Sequence, residues 1–119
     1  MDIRIIRKPI TLDVLEELSG IYHRRIVKGV ADLGRELIAL GGEWHIDANN
    51  VLFADGSEQK NMWGFNVLPK EKGNKAIQYN SMINIRPAQG NTSMDVLDET
   101  LQREIRALVG KLIPDLDLV

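Results

Sequence analysis

Three side chains able to move a proton or hold a metal stand at alternate positions in the segment Gly41-Gly42-Glu43-Trp44-His45-Ile46-Asp47. On an extended chain every second side chain points the same way, so Glu43, His45 and Asp47 would form one polar row. An imidazole beside carboxylates is the raw material of a general acid–base pair or of a divalent-metal site. A His-x-Asp pair with a distant histidine is also the ligand set of a non-haem iron site. The only other histidine is His23, in the basic group His23-Arg24-Arg25, and 119 residues are few for a double-sheet barrel, so the iron reading has little support. The competing reading is structural: His45 and Asp47 make a loop hydrogen bond and cap the next segment, while Glu43 is solvated. The metal candidates are therefore His45, Asp47 and Glu43. Nothing in the sequence requires a cofactor.

Two further groups could bind a ligand. Lys28 and Asp32 lie on one face of an expected strand. If that face turns toward His45, a Lys-Asp-His-Glu cluster forms; otherwise the two are a solvated pair. Asn84 and Arg86 share a face in Ser81-Met82-Ile83-Asn84-Ile85-Arg86-Pro87, with Asn80 beyond them and Asn66 across a hairpin. A guanidinium among amides can bind a carboxylate or phosphate through forked hydrogen bonds. The alternative is a polar outer face, with Arg86 and Asn91 tying the strand end to the last helix. No Ser-His-Asp pattern, P-loop, dinucleotide fingerprint or zinc spacing is present.

The elements that must position these groups follow from periodicity. Ile3 to Arg7 reads as an edge strand before Pro9. Thr11 is an N-cap for a helix with Leu12, Leu15 and Leu18 on one stripe. Ile26 to Leu33 and Leu37 to Leu40 read as a hairpin around Gly34. A single helix from Ile26 to Leu40 is disfavoured by Gly29 and Gly34. Asp47 to Ala54 is either a short helix or a turn. Met62 to Leu68 reads as a strand stopped by Pro69, and Ile77 to Arg86, with its alternation, as the clearest strand of the chain. Leu97, Leu101, Ile105, Leu108, Val109 and Leu112 define an amphipathic helix, with Asp98 a candidate cap and Pro114 its end. The last residues, 115–119, read as a frayed tail. The order β-α-β-β-(short α)-β-β-α gives one α+β domain over residues 1–119. It has a mostly antiparallel sheet of about five strands and two main helices on one face.

Composition narrows the function classes. Hydrophobic residues make up 44% and charged residues 27%, which suits a globular domain rather than a disordered one. The net charge of −2 counts against a general nucleic-acid binder. The absence of cysteine removes disulfides, thiolate metal sites and a cysteine nucleophile. No signal-peptide core or membrane-length apolar run is found, so the expected location is the cytoplasm.

The segments Gly41-Gly42-Glu43-Trp44-His45-Ile46-Asp47, Asp55-Gly56-Ser57-Glu58-Gln59, Trp63-Gly64-Phe65-Asn66 and Ser81 to Pro87 together resemble a domain-of-unknown-function family of small single-domain prokaryotic proteins. The resemblance covers nearly the whole chain, and the combined pattern is more specific than any piece. One position departs from it: Asn49 stands where the pattern has Glu. The resemblance implies a single domain and brings no activity. The expected function is a binding or interaction module, self-associating as a homodimer, whose polar pocket takes a small anionic ligand or a protein partner's acidic group. The alternative is a small metal-assisted or acid–base hydrolase using His45 with Glu43 and Asp47.

Overall fold

Two β-rich runs, Val27–Asp32 (β2) and Leu37–Gly41 (β3), form the central antiparallel hairpin. Its turn is fixed by Asp32, whose Oδ1 accepts the backbone N–H groups of Gly34 and Arg35 at 2.9 and 3.0 Å. A carboxylate that satisfies two turn amides competes well against a continuing helix, and the hairpin is the observed outcome. The computed structural model describes residues 2–23 and 25–118.

Around this hairpin, Ile3–Ile6 (β1), Met62–Val67 (β4) and Ile77–Gln78 (β5) complete a five-stranded sheet in the order β1-β3-β2-β4-β5, antiparallel throughout. Alternation along the strands sends side chains to two faces. One face carries Ile6, Val27, Ala31, Ile38, Leu40, Trp63, Phe65 and Val67. It is covered by Leu12–Ser19 (α1) and Glu99–Leu112 (α3), through Leu15, Leu18, Ile105, Leu108, Val109 and Leu112. These are the two main helices on one face that the sequence leads one to expect. The other face, with Val30, Leu37, Ala39 and Met62, is covered by His45–Ala54 (α2) through Ala48 and Leu52. The ambiguous segment before Asp55 is thus a helix, and it begins two residues earlier than Asp47.

Local signals account for the helix limits. Asp98 caps α3, its carboxylate accepting the N–H of Thr100 at 2.8 Å. Thr11 stands at the N-cap of α1 without a side-chain bond; Asp115 Oδ2 takes the free N–H of Leu12 instead, at 3.0 Å. That contact also holds the segment expected to fray. Leu116 and Leu118 lie buried in the larger core, so residues up to Leu118 are part of the domain. Gly41 and Gly42 have φ of +108° and +86°, which lets β3 break off into α2. A Cβ on Gly41 would meet the Asp2 carbonyl oxygen at 2.2 Å, so the close approach of β1 also demands glycine there.

The strand expected over Ile77 to Arg86 is corrected to two residues. After Gln78 the chain leaves β4: Asn80 bridges to Asp95, and Ser81 Oγ accepts the N–H of Ile83 to start a single helical turn at Met82–Asn84. Local side-chain bonds from Ser81 and Asn84 outweigh the alternating pattern. The edge of β4 is then sealed by side chains. Asn84, fully buried, accepts the Gly64 N–H at 2.8 Å and donates to the Gly64 carbonyl at 3.0 Å, reproducing a ladder pair with one amide. Arg86 donates to the Met62 carbonyl.

Candidate ligand-binding cavity

The register of the sheet places Lys28 opposite Asn66 and Asn66 opposite Gln78, one polar row across β2, β4 and β5. The row lies on the face that α2 covers. That helix packs over β1, β3 and β2, and its first residue reaches β4 only at Phe65. The uncovered part of the sheet forms a cavity of about 850 Å³. Lys28, Asn66, Gln78 and Asn80 supply its polar lining, and the start of α2 contributes Trp44, His45 and Ile46. Ser81, Met82, Ile83, Ile26 and Met94 complete the wall. The rim is strongly apolar yet open: Trp44 is 59% exposed and Met82 74%.

His45 is the first residue of α2, where a side chain leans back over the preceding chain. It is buried, and its Nε2 lies 2.8 Å from the carbonyl oxygen of Phe65. A carbonyl only accepts, so Nε2 carries the hydrogen and donates it, leaving Nδ1 an unprotonated acceptor. Burial pushes the imidazole pKa down to about 4; the Lys28 ammonium adds to this, and the Phe65 carbonyl and Asn66 side chain partly oppose it. At neutral pH the ring is uncharged. It can accept a hydrogen bond, but it is too weak a base to hold a proton there.

Asn66 is equally constrained. Its Nδ2 donates to Asn80 Oδ1 at 2.7 Å and approaches the Asn80 carbonyl oxygen at 3.4 Å and Gln78 Oε1 at 3.5 Å. The backbone oxygen cannot donate, so the amide orientation is fixed. Asn66 Oδ1 is then left buried without a hydrogen-bond partner among the described residues.

The other sequence candidates fall elsewhere. Because α2 begins at His45, the alternate-position row of Glu43, His45 and Asp47 does not exist: residues two apart on a helix point about 200° apart. Glu43 is exposed, and its backbone oxygen accepts from His23 Nε2 at 3.1 Å. Asp47 packs beside Gly42 in the first turn of α2. Among the described residues no three histidine or carboxylate side chains gather as a metal site. Lys28 and Asp32 share a sheet face, but four residues of strand separate them by about 13 Å. Lys28 reaches the cavity with His45, whereas Asp32 serves the hairpin turn, so the Lys-Asp-His-Glu cluster does not form.

Asn84 and Arg86 are held in internal bonds. Besides the Met62 carbonyl, Arg86 donates to Ile83 O at 3.1 Å, Gln59 O at 2.7 Å and Gln89 Oε1 at 3.1 Å. Its guanidinium carbon lies 4.0 Å from the centre of the Trp63 ring. Asn91 organises the same loop, donating to Asn84 O at 2.8 Å and accepting the N–H of Leu97 at 2.9 Å. Sequence reasoning named four of the groups that line the cavity, Lys28, His45, Asn66 and Asn80, and missed Trp44, Gln78, Met82 and Met94. The signal for Trp44 was its place in a polar glycine-rich segment. Met82 and Met94 had none, since both come from segments whose path depends on tertiary contacts.

Comparison with family models matches residues 4–112 to one family, described as a protein of unknown function. No curated protein and no solved structure matches the chain.

Proposed function

The chain belongs to the DUF5674 family, a protein family of unknown function, and from its cavity we propose that it is a binding module for a small amphipathic anion. The carrying observation is the pairing of one cation with an open apolar rim. Lys28 has no ion-pair partner among the described residues and stands in a row of neutral amides. Trp44, Ile46, Met82 and Met94 surround it with exposed apolar surface. A carboxylate at Lys28 with a hydrocarbon body against this rim uses both features, and a mostly apolar pocket with few polar groups is the usual form of a small-molecule site. A hydrolytic role has less support, because no carboxylate among the described residues orients His45 and its pKa is far below neutrality.

The test is thermal unfolding against medium-chain carboxylates such as hexanoate, for wild type and Lys28→Met. A ligand at a hundred times its dissociation constant adds about 2.7 kcal/mol, a shift on the order of 10 °C for a domain of this size. Lys28→Met should remove the shift while leaving the unliganded protein folded. Equal shifts in both proteins would refute the role of Lys28.

Self-association is a second reading, favoured by the outer side of α2. Ile46 and Phe53 lie seven residues apart on that helix, 49% and 62% exposed, on one stripe with Trp44 nearby. Sedimentation of wild type against Phe53→Glu decides it: a dimer that dissociates in the variant supports this reading, and a monomeric wild type removes it.

A further inference from the structure

The wall of the cavity contains one buried hydrogen-bond acceptor, Asn66 Oδ1, that no described residue satisfies. Its amide orientation is fixed by the Asn80 carbonyl. A buried acceptor repels an anionic oxygen and is costly to leave unpaired, so this corner of the cavity calls for a donor. The donor is neutral, because the Lys28 ammonium beside it opposes a second positive charge. We propose that the ligand is a hydroxylated amphipathic anion, its anionic head at Lys28 and its hydroxyl donating to Asn66 Oδ1.

This inference rests on the anion-binding reading and sharpens it. A site that merely tolerates amphipathic acids would be indifferent to the hydroxyl. A site with an unsatisfied acceptor discriminates against a ligand that lacks the donor, because that ligand leaves it unpaired. The same corner explains why Gln78 and Asn80 accompany Asn66: they hold its Nδ2, and so aim its oxygen.

The experiment is calorimetric titration of the wild-type protein with hexanoate, 2-hydroxyhexanoate, 3-hydroxyhexanoate, 2-methoxyhexanoate and norleucine. At least one hydroxy acid should bind about tenfold more tightly than hexanoate, the size of one net hydrogen bond. The methoxy acid, which cannot donate, and norleucine, whose donor is charged, should show no such gain. In Asn66→Leu the preference for the hydroxy acid should fall to about twofold or less; should that variant not fold, the ligand series in wild type stands alone. Equal affinities for hexanoate and both hydroxy acids would overturn the hydroxyl assignment and leave the anion reading standing. A gain with norleucine equal to that of the hydroxy acid would overturn the neutral donor. Failure of every acid to bind would overturn both readings together.

Discussion

The most direct perturbation of the cavity is acid. His45 titrates at about 6.5 in the unfolded chain and at about 4 in the folded one. Between those values the unfolded chain binds a proton that the folded protein does not, so stability falls as pH drops through this window. At 1.36 kcal/mol per pKa unit the loss on going from pH 7 to pH 4 is about 3 kcal/mol, a large fraction of the stability of a domain this size. The same loss should be absent from His45→Gln, whose amide can still donate to the Phe65 carbonyl but does not titrate. Urea unfolding of both proteins at several pH values between 7 and 4 measures the difference, with the carboxylates common to both cancelling. NMR titration of the ring C–H signals gives the folded midpoint directly. Parallel stability curves, or a His45 midpoint near 6.5, would refute the buried neutral imidazole and with it the acceptor role of Nδ1.

Three other outcomes follow from contacts outside the cavity. Asn84→Ala should cost about 3 kcal/mol in urea unfolding, because it leaves both the N–H and the carbonyl of Gly64 without their partner. Gly29→Ala should cost about 2 kcal/mol by the same measurement, since its Cβ would lie 2.4 Å from the Phe65 ring, which is fully buried and has nowhere to go. Hydrogen bonding to Arg35, helped by Arg7, holds the Asp55 carboxyl below its usual range, so its contribution is present above pH 3.8 and lost as pH falls through the lower folded value. In Asp55→Asn the stability difference from wild type should therefore shrink in strong acid and in high salt, read from melting temperatures.

Much of this architecture was legible because it rests on local rules. Asp98 announced its helix, Gly34 the place of the hairpin turn, and Gly41-Gly42 the end of the strand, whereas the turn role of Asp32 was not foreseen. The row across the sheet was half visible: Lys28 and Asn66 were named from strand alternation, but their pairing with Gln78 depends on register. The segment after Gln78 was misread because a perfect alternation of apolar and polar residues is only a preference. Ser81 and Asn84 overrule it with bonds to the backbone, one to Ile83 and the others to a strand some twenty residues away. The row of Glu43, His45 and Asp47 failed for a related reason. Its spacing suits a strand, and the chain is already helical at His45. The structural alternative weighed for Arg86 and Asn91, tying the strand end to the last helix, comes near for Asn91, which joins Asn84 to Leu97 just ahead of that helix, while Arg86 ties its loop to β4 instead.

The side-chain seal along β4 has a consequence in time. Its donors and acceptors come from residues 84–86, about twenty positions after the strand they close, and Asn91 must dock before that loop is complete. Until then Met62 and Gly64 present free backbone groups on a strand of apolar residues, a template for another chain. The folding order of the last third of the protein therefore sets how long a partly folded molecule stays sticky. Damage to Asn84 would register first as lost yield and aggregation during refolding, ahead of any change at the cavity.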